Sequence, residues 1–79
     1  MPKLKILSSD EIIKILKTFN FEIANQRGSH IKFARFSASE KQVLTIPNHK
    51  TLAKGTVKAI FNQLSHFVPR EELTKHFYN

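Results

Sequence analysis

The chain has no cysteine, only two glycines and three prolines, and six acidic residues against thirteen lysines and arginines. Without cysteine, neither a disulfide nor a thiolate-bound zinc can support the fold. The acids Asp10, Glu11, Glu22, Glu40, Glu71 and Glu72 lie mainly towards the two ends, and His30, His49, His66 and His76 are scattered, so neither a metal site nor a cofactor is expected. No apolar run approaches the roughly 20 residues that a bilayer-spanning helix requires. Met1 to Leu7 mixes Lys3 and Lys5 with apolar positions and runs straight into Ser8-Ser9-Asp10-Glu11, so no secretory leader is read there. The expectation is a soluble, cytoplasmic protein with no membrane partner. Repeats and low-complexity tracts are absent too, and a chain of 79 residues supports a single domain, 1–79, with one modest core.

What is abundant is positive charge, and its placement matters more than its total of +7. Between Ile23 and Lys58 the cations are Arg27, Lys32, Arg35, Lys41, Lys50, Lys54 and Lys58, with Glu40 the only acid, a net of +6. Such a face attracts a phosphate backbone or an acidic protein partner. A merely solubilising surface is the bland alternative.

The elements are short and consecutive. Ser8-Ser9-Asp10-Glu11 has capping-box spacing, and Ile12, Leu16 and Phe19 then form an apolar stripe flanked by Ile13 and Ile15, which predicts a helix from Ser9 to Thr18. Phe21 to Asn25 alternates and reads as a strand. Gly28 can take the positive φ of a tight connection, and a second strand follows from His30 to Phe36. Its alternation sends Ile31 and Phe33 to one face and His30, Lys32 and Phe36 to the other, each step about 6–7 Å. Ser37 to Lys41 reads as a polar hairpin loop, and Gln42 to Ile46 as a third strand that Pro47 ends, because proline lacks a ladder donor. Val57, Ile60, Phe61 and Leu64 mark a second helix from Lys54 to Leu64. Pro69-Arg70-Glu71-Glu72 then opens a short C-terminal helix with Leu73 and Phe77 as its apolar edge. The fold class is α+β: α-β-β-β-α, a three-stranded antiparallel sheet with both main helices on one face.

Three stretches carry a family resemblance. They are Arg27-Gly28-Ser29-His30 with its strand, the corner Leu44-Thr45-Ile46-Pro47-Asn48-His49, and Leu52-Ala53-Lys54-Gly55-Thr56-Val57 opening the second helix. In this order and spacing the chain resembles the HicA (YcfA-like) toxins, small mRNA-cleaving partners of HicB antitoxins in bacterial toxin–antitoxin systems. The resemblance covers roughly residues 7–64 and leaves 65–79 as an extension. It implies a fold like a double-stranded-RNA-binding domain, an endoribonuclease (mRNA interferase) activity, a HicB-type antitoxin partner, and a toxin that is a monomer or weak dimer when free. It also implies that His30 is the catalytic histidine and Gly28 the structural turn before it. Many relatives carry a second histidine or another polar residue directly after the first, where this chain has Ile31.

RNA can be cut without metal because its 2′-hydroxyl is an internal nucleophile for the adjacent phosphorus. Histidine suits the proton transfers, its unperturbed pKa being about 6.5. On this reading His30 is general base or acid, Lys32 and Arg27 offset phosphate charge, Ser29 contacts RNA beside the site, and His49 is a substrate contact or second proton carrier. Lys50, Lys54 and Lys58 are candidates for backbone contact at and before a helix N-terminus. The same three lysines could be no more than a solvated helix flank. His66 and His76 are expected to face solvent, and the phenylalanines to fill the core, Phe36 excepted. The alternative is a non-catalytic RNA-binding module of the same fold.

Overall fold

The computed structural model describes residues 2–79. The order is α1 (Ser9–Thr18), β1 (Glu22–Arg27), β2 (His30–Ser37), β3 (Glu40–Pro47), α2 (Lys54–Leu64) and α3 (Arg70–Phe77), an α+β chain with one antiparallel sheet in the order β1-β2-β3.

Both ends of α1 are specified locally. The N–H of Glu11 donates to Ser8 Oγ at 3.2 Å, and the N–H of Ser8 donates to Glu11 Oε1 at 2.9 Å. This reciprocal pair satisfies two orphan donors, and the Ser8 amide, together with its hydroxyl, holds the Glu11 carboxyl below the ordinary carboxylate range. At the other end Asn20 takes a left-handed φ of 70°. Its N–H donates to Lys17 O at 3.0 Å and that of Phe21 to Leu16 O at 3.0 Å, the paired bonds of a Schellman stop. Phe21 is therefore part of the helix stop, fully buried, and not the first residue of a strand.

β1 departs from the alternation read in the sequence. All six of its residues are exposed, and its register on β2 slips between Ile23 and Asn25, leaving a bulge at Ala24. An edge strand with one bulge loses the strict two-residue period, so apolar alternation there does not report burial.

The two hairpin turns are each two residues long but differ in chemistry. Gly28 has φ 59° and only this first turn residue is left-handed, the II′ pattern. A Cβ there would meet nothing within 4 Å, so the need for glycine is conformational and not steric. Between β2 and β3, Ala38 and Ser39 have φ 51° and 67°, the I′ pattern without glycine or asparagine. The pairing runs from His30 opposite Pro47 to Ser37 opposite Glu40, so the expected five-residue loop is in fact a tight turn with both strands extended into it. Left-handed backbone is costly for residues with a Cβ. Ala38→Asn combined with Ser39→Gly is expected to raise stability by about 1 kcal/mol, read as a higher urea midpoint.

Ile31, Phe33, Leu44 and Ile46 line one sheet face, and α1 and α2 cover it with Ile12, Ile15, Leu16, Val57, Ile60, Phe61 and Leu64. The core does not stop at α2. Val68, Leu73 and Phe77 belong to the same cluster, the last two with no exposed area. Phe77 and Tyr78 both stand edge-on to Phe61, at 5.4 and 5.3 Å between ring centres, and Arg70 lies over the same ring. Backbone bonds from Lys5 N–H to Phe77 O and from Asn79 N–H to Lys3 O, each 2.8 Å, tie the two chain ends together. His76 is half-buried edge-on to Phe19, not solvent-facing, whereas His66 is exposed.

Candidate RNA-cleaving site

The open sheet face follows from β2. With Ile31 and Phe33 buried, His30, Lys32 and Phe36 must project from the opposite side, and all three are exposed. His30 closes the Gly28-Ser29 turn. Its cross-strand partners are Arg27 on β1 and Pro47 on β3, and those of Lys32 are Asn25 and Thr45. Side chains directly opposite in such pairs lie about 4.5–5.5 Å apart at Cβ. The imidazole is thus flanked by a guanidinium across one strand and an ammonium one step along its own.

The Pro47–His49 corner is fixed by a residue that periodicity alone does not flag as polar machinery. Ser9, 1% exposed, donates from Oγ to Pro47 O at 2.5 Å, accepts at Oγ from the His49 N–H at 2.7 Å, and donates from its own N–H to His49 O at 3.1 Å. The Asn48 N–H in turn donates to Ser29 O at 2.6 Å. The corner is therefore bonded both to the N-terminus of α1 and to the turn that carries His30. The available signal was that Ser9 lies on the same helical stripe as Ile12 and Leu16, a small polar group where an apolar one is the rule. Ser9→Ala leaves the Pro47 carbonyl and the His49 amide without their partner and is expected to cost about 2 kcal/mol in urea denaturation.

Arg35, counted from sequence among the cations of the basic face, is placed elsewhere. Its Nε donates to Gln42 Oε1 at 2.6 Å, Nη1 to Phe19 O and Nη2 to Phe67 O, both at 2.8 Å, and its guanidinium stacks 4.8 Å from the Phe21 ring centre. It joins two strands to the end of α1 and to the connection after α2, with every bond going to a neutral acceptor. Its charge serves the fold and is not offered to a ligand.

The remaining predicted residues fall into two groups. Arg27, His30 and Lys32 share the open face, while Ser29, His49 and Lys50 lie on the turn and corner at the same end of the sheet, all exposed. Lys54 and Lys58 are exposed on α2, which packs on the covered face, and Lys54 borders a shallow depression with Lys5 and Glu11. They lie across the thickness of the sheet from His30. Among the described residues no three His, Asp or Glu side chains come together in a way that could hold a metal ion, and no helix is long and apolar enough to cross a membrane.

An exposed histidine beside cations, held at a hairpin on the open face of a three-stranded sheet, defines a small basic α+β protein that presents an imidazole and positive charge side by side on one face. A family model described as the HicA toxin of bacterial toxin–antitoxin systems matches residues 9–65. That span is most of the chain, and the protein belongs to the HicA toxin family. No curated protein and no solved structure matched. The family match ends at residue 65, so Leu73 and Phe77 complete the core from outside it.

Proposed function

We propose that this protein is a toxin that cleaves mRNA by a metal-independent transesterification, with His30 as the proton-transferring group and a HicB-type antitoxin as its neutralising partner. The observation that carries the reading is the shared exposed face of Arg27, His30 and Lys32. The ribose 2′-oxygen attacks the adjacent phosphorus, the O2′–P bond forms, and the P–O5′ bond breaks. One fragment keeps a 2′,3′-cyclic phosphate and the other a 5′-hydroxyl. His30 either takes the 2′ proton or supplies one to the departing 5′-oxygen, water makes the other transfer, and Arg27 and Lys32 offset the charge that builds on the phosphoryl oxygens. Ser29, His49 and Lys50 sit where RNA leaving the face at the Gly28 end meets the protein. Lys54 and Lys58 serve a strand that wraps over that end, and because they reach only the backbone they contribute little base selectivity.

The test is RNA cleavage in EDTA by the wild type and by His30→Ala. Cleavage with cyclic-phosphate ends that the variant has lost, with RNA binding retained, supports the reading. Equal binding and no cleavage by either form favours a non-catalytic RNA-binding module. Indifference of both to RNA at low salt, where phosphate attraction is strongest, overturns both.

A further inference from the structure

Phe36 is 76% exposed, whereas Phe21, Phe33, Phe61 and Phe77 have almost no exposed area and Phe19 and Phe67 pack against the core. A single exposed apolar residue needs no explanation by itself. The setting of Phe36 is what distinguishes it. It stands on the open face in line with His30 and Lys32, Lys41 is directly opposite it on β3, and Ala34 leaves the space between Lys32 and the ring unfilled. Beside the ring, towards β1, runs a shallow groove bordered by Asn20, Glu22, Ile23 and Ala34. The face therefore reads, along one strand, as imidazole, ammonium, gap, aromatic ring, with a second ammonium alongside.

Resting on the ribonuclease reading, we propose that Phe36 is a stacking platform for one base of a single-stranded RNA laid along β2, with Lys41 beside the ring holding a phosphate next to that base. The occupant is argued from charge and shape together. Arg27, Lys32 and Lys41 make this face cationic and outnumber Glu22, which lies opposite Ala34 on β1, and an aromatic ring among cations matches a polyanion whose bases have apolar faces. Every base presents such a face, so the platform adds affinity and register with little sequence preference. From His30 to Phe36 the strand rises about 20 Å. At the spacing of about 3.4 Å per phosphate of a stacked strand that is about six nucleotides, and an extended strand needs fewer. The stacked base thus lies several nucleotides from the cleaved bond, which makes the site a means of engaging longer RNA.

The experiment measures binding of fully 2′-O-methylated single-stranded oligonucleotides, which lack the nucleophile and stay intact, long enough to place about six nucleotides on each side of the reacting phosphate. Phe36→Ala is expected to weaken binding about tenfold, and one abasic position in the oligonucleotide reproduces that loss with the wild type. Phe36→Trp is expected to keep the affinity and, because the chain has no other tryptophan, to report stacking as quenched indole fluorescence on adding RNA. Unchanged affinity in Phe36→Ala with unquenched F36W overturns the proposal. If the wild type still cuts RNA through His30, the ribonuclease reading stands without it. If the wild type neither binds nor cuts RNA, the ribonuclease reading itself fails. A Phe36→Ala change that weakens only the complex with a co-encoded antitoxin and leaves RNA binding intact also overturns the stacking platform, and assigns the ring to a protein interface.

Discussion

Replacing His30 by alanine is expected to lower RNA cleavage by about 10²–10⁴-fold, the range that a positioned proton-transfer group contributes. The structure makes this a clean test. His30 is exposed, sits at the first position of β2, and is outside the buried cluster. Its removal should therefore change stability by no more than about 0.5 kcal/mol, and a loss of cleavage cannot be ascribed to unfolding. Arg27 and Lys32 remain in place in the variant, so RNA retention at low salt should stay close to that of the wild type. The measurement is single-turnover cleavage of a labelled RNA in EDTA, with thermal unfolding of both proteins as the control. A decrease of less than threefold would mean that the proton transfers are made by another group or by water. The corner histidine His49, bonded through its backbone to Ser9, would then be the next residue to replace.

How far the sequence discloses this site depends on which interactions are local. Capping chemistry and a helical period are local, so α1 and α2 match the ranges read from the sequence residue for residue. Strand parity is local too, and it puts His30, Lys32 and Phe36 together on one face from the sequence alone. The tight turn at Ala38 and Ser39 is not legible in the sequence because neither residue is one that a left-handed turn ordinarily recruits, and the ladder from His30 to Ser37 imposes it from outside. Phe21 reads as strand because an apolar residue before an alternating run looks like part of that run, while its backbone is committed to Leu16 behind it. Arg35 and Ser9 act through acceptors and donors up to 40 positions away. An arginine whose partners are carbonyl groups carries no mark in the sequence, whereas a charged partner at helical or cross-strand spacing would have been visible.

Phe77→Ala is expected to cost about 3–5 kcal/mol, the range for truncating a fully buried phenylalanine, and that is a large part of the total stability of a domain this small. Two couplings argue for the upper end. The Phe77 ring stands edge-on to Phe61 on α2, and its carbonyl accepts from the Lys5 N–H. A cavity at 77 therefore loosens α3 and the N-terminal segment together, since Leu4 also bridges Tyr78. Stopping the chain before Pro69 goes further, because it removes Leu73 as well and opens the side of Phe61 now covered by Arg70, Phe77 and Tyr78. That truncated chain is expected to show no cooperative thermal transition. Denaturant unfolding of Phe77→Ala, with the exposed Glu71→Ala as a neighbouring control within about 0.5 kcal/mol of wild type, separates loss of packing from a general effect of altering α3. If instead the truncated chain unfolds cooperatively near the wild-type temperature, residues 69–79 are an accessory segment, and the burial of Leu73 and Phe77 stabilises only α3. Retained cleavage by a chain that ends before Pro69 would carry the same meaning for the site: Arg27, His30 and Lys32 lie on the sheet face opposite α3's core contacts, so their arrangement depends on α3 only through the stability of the sheet.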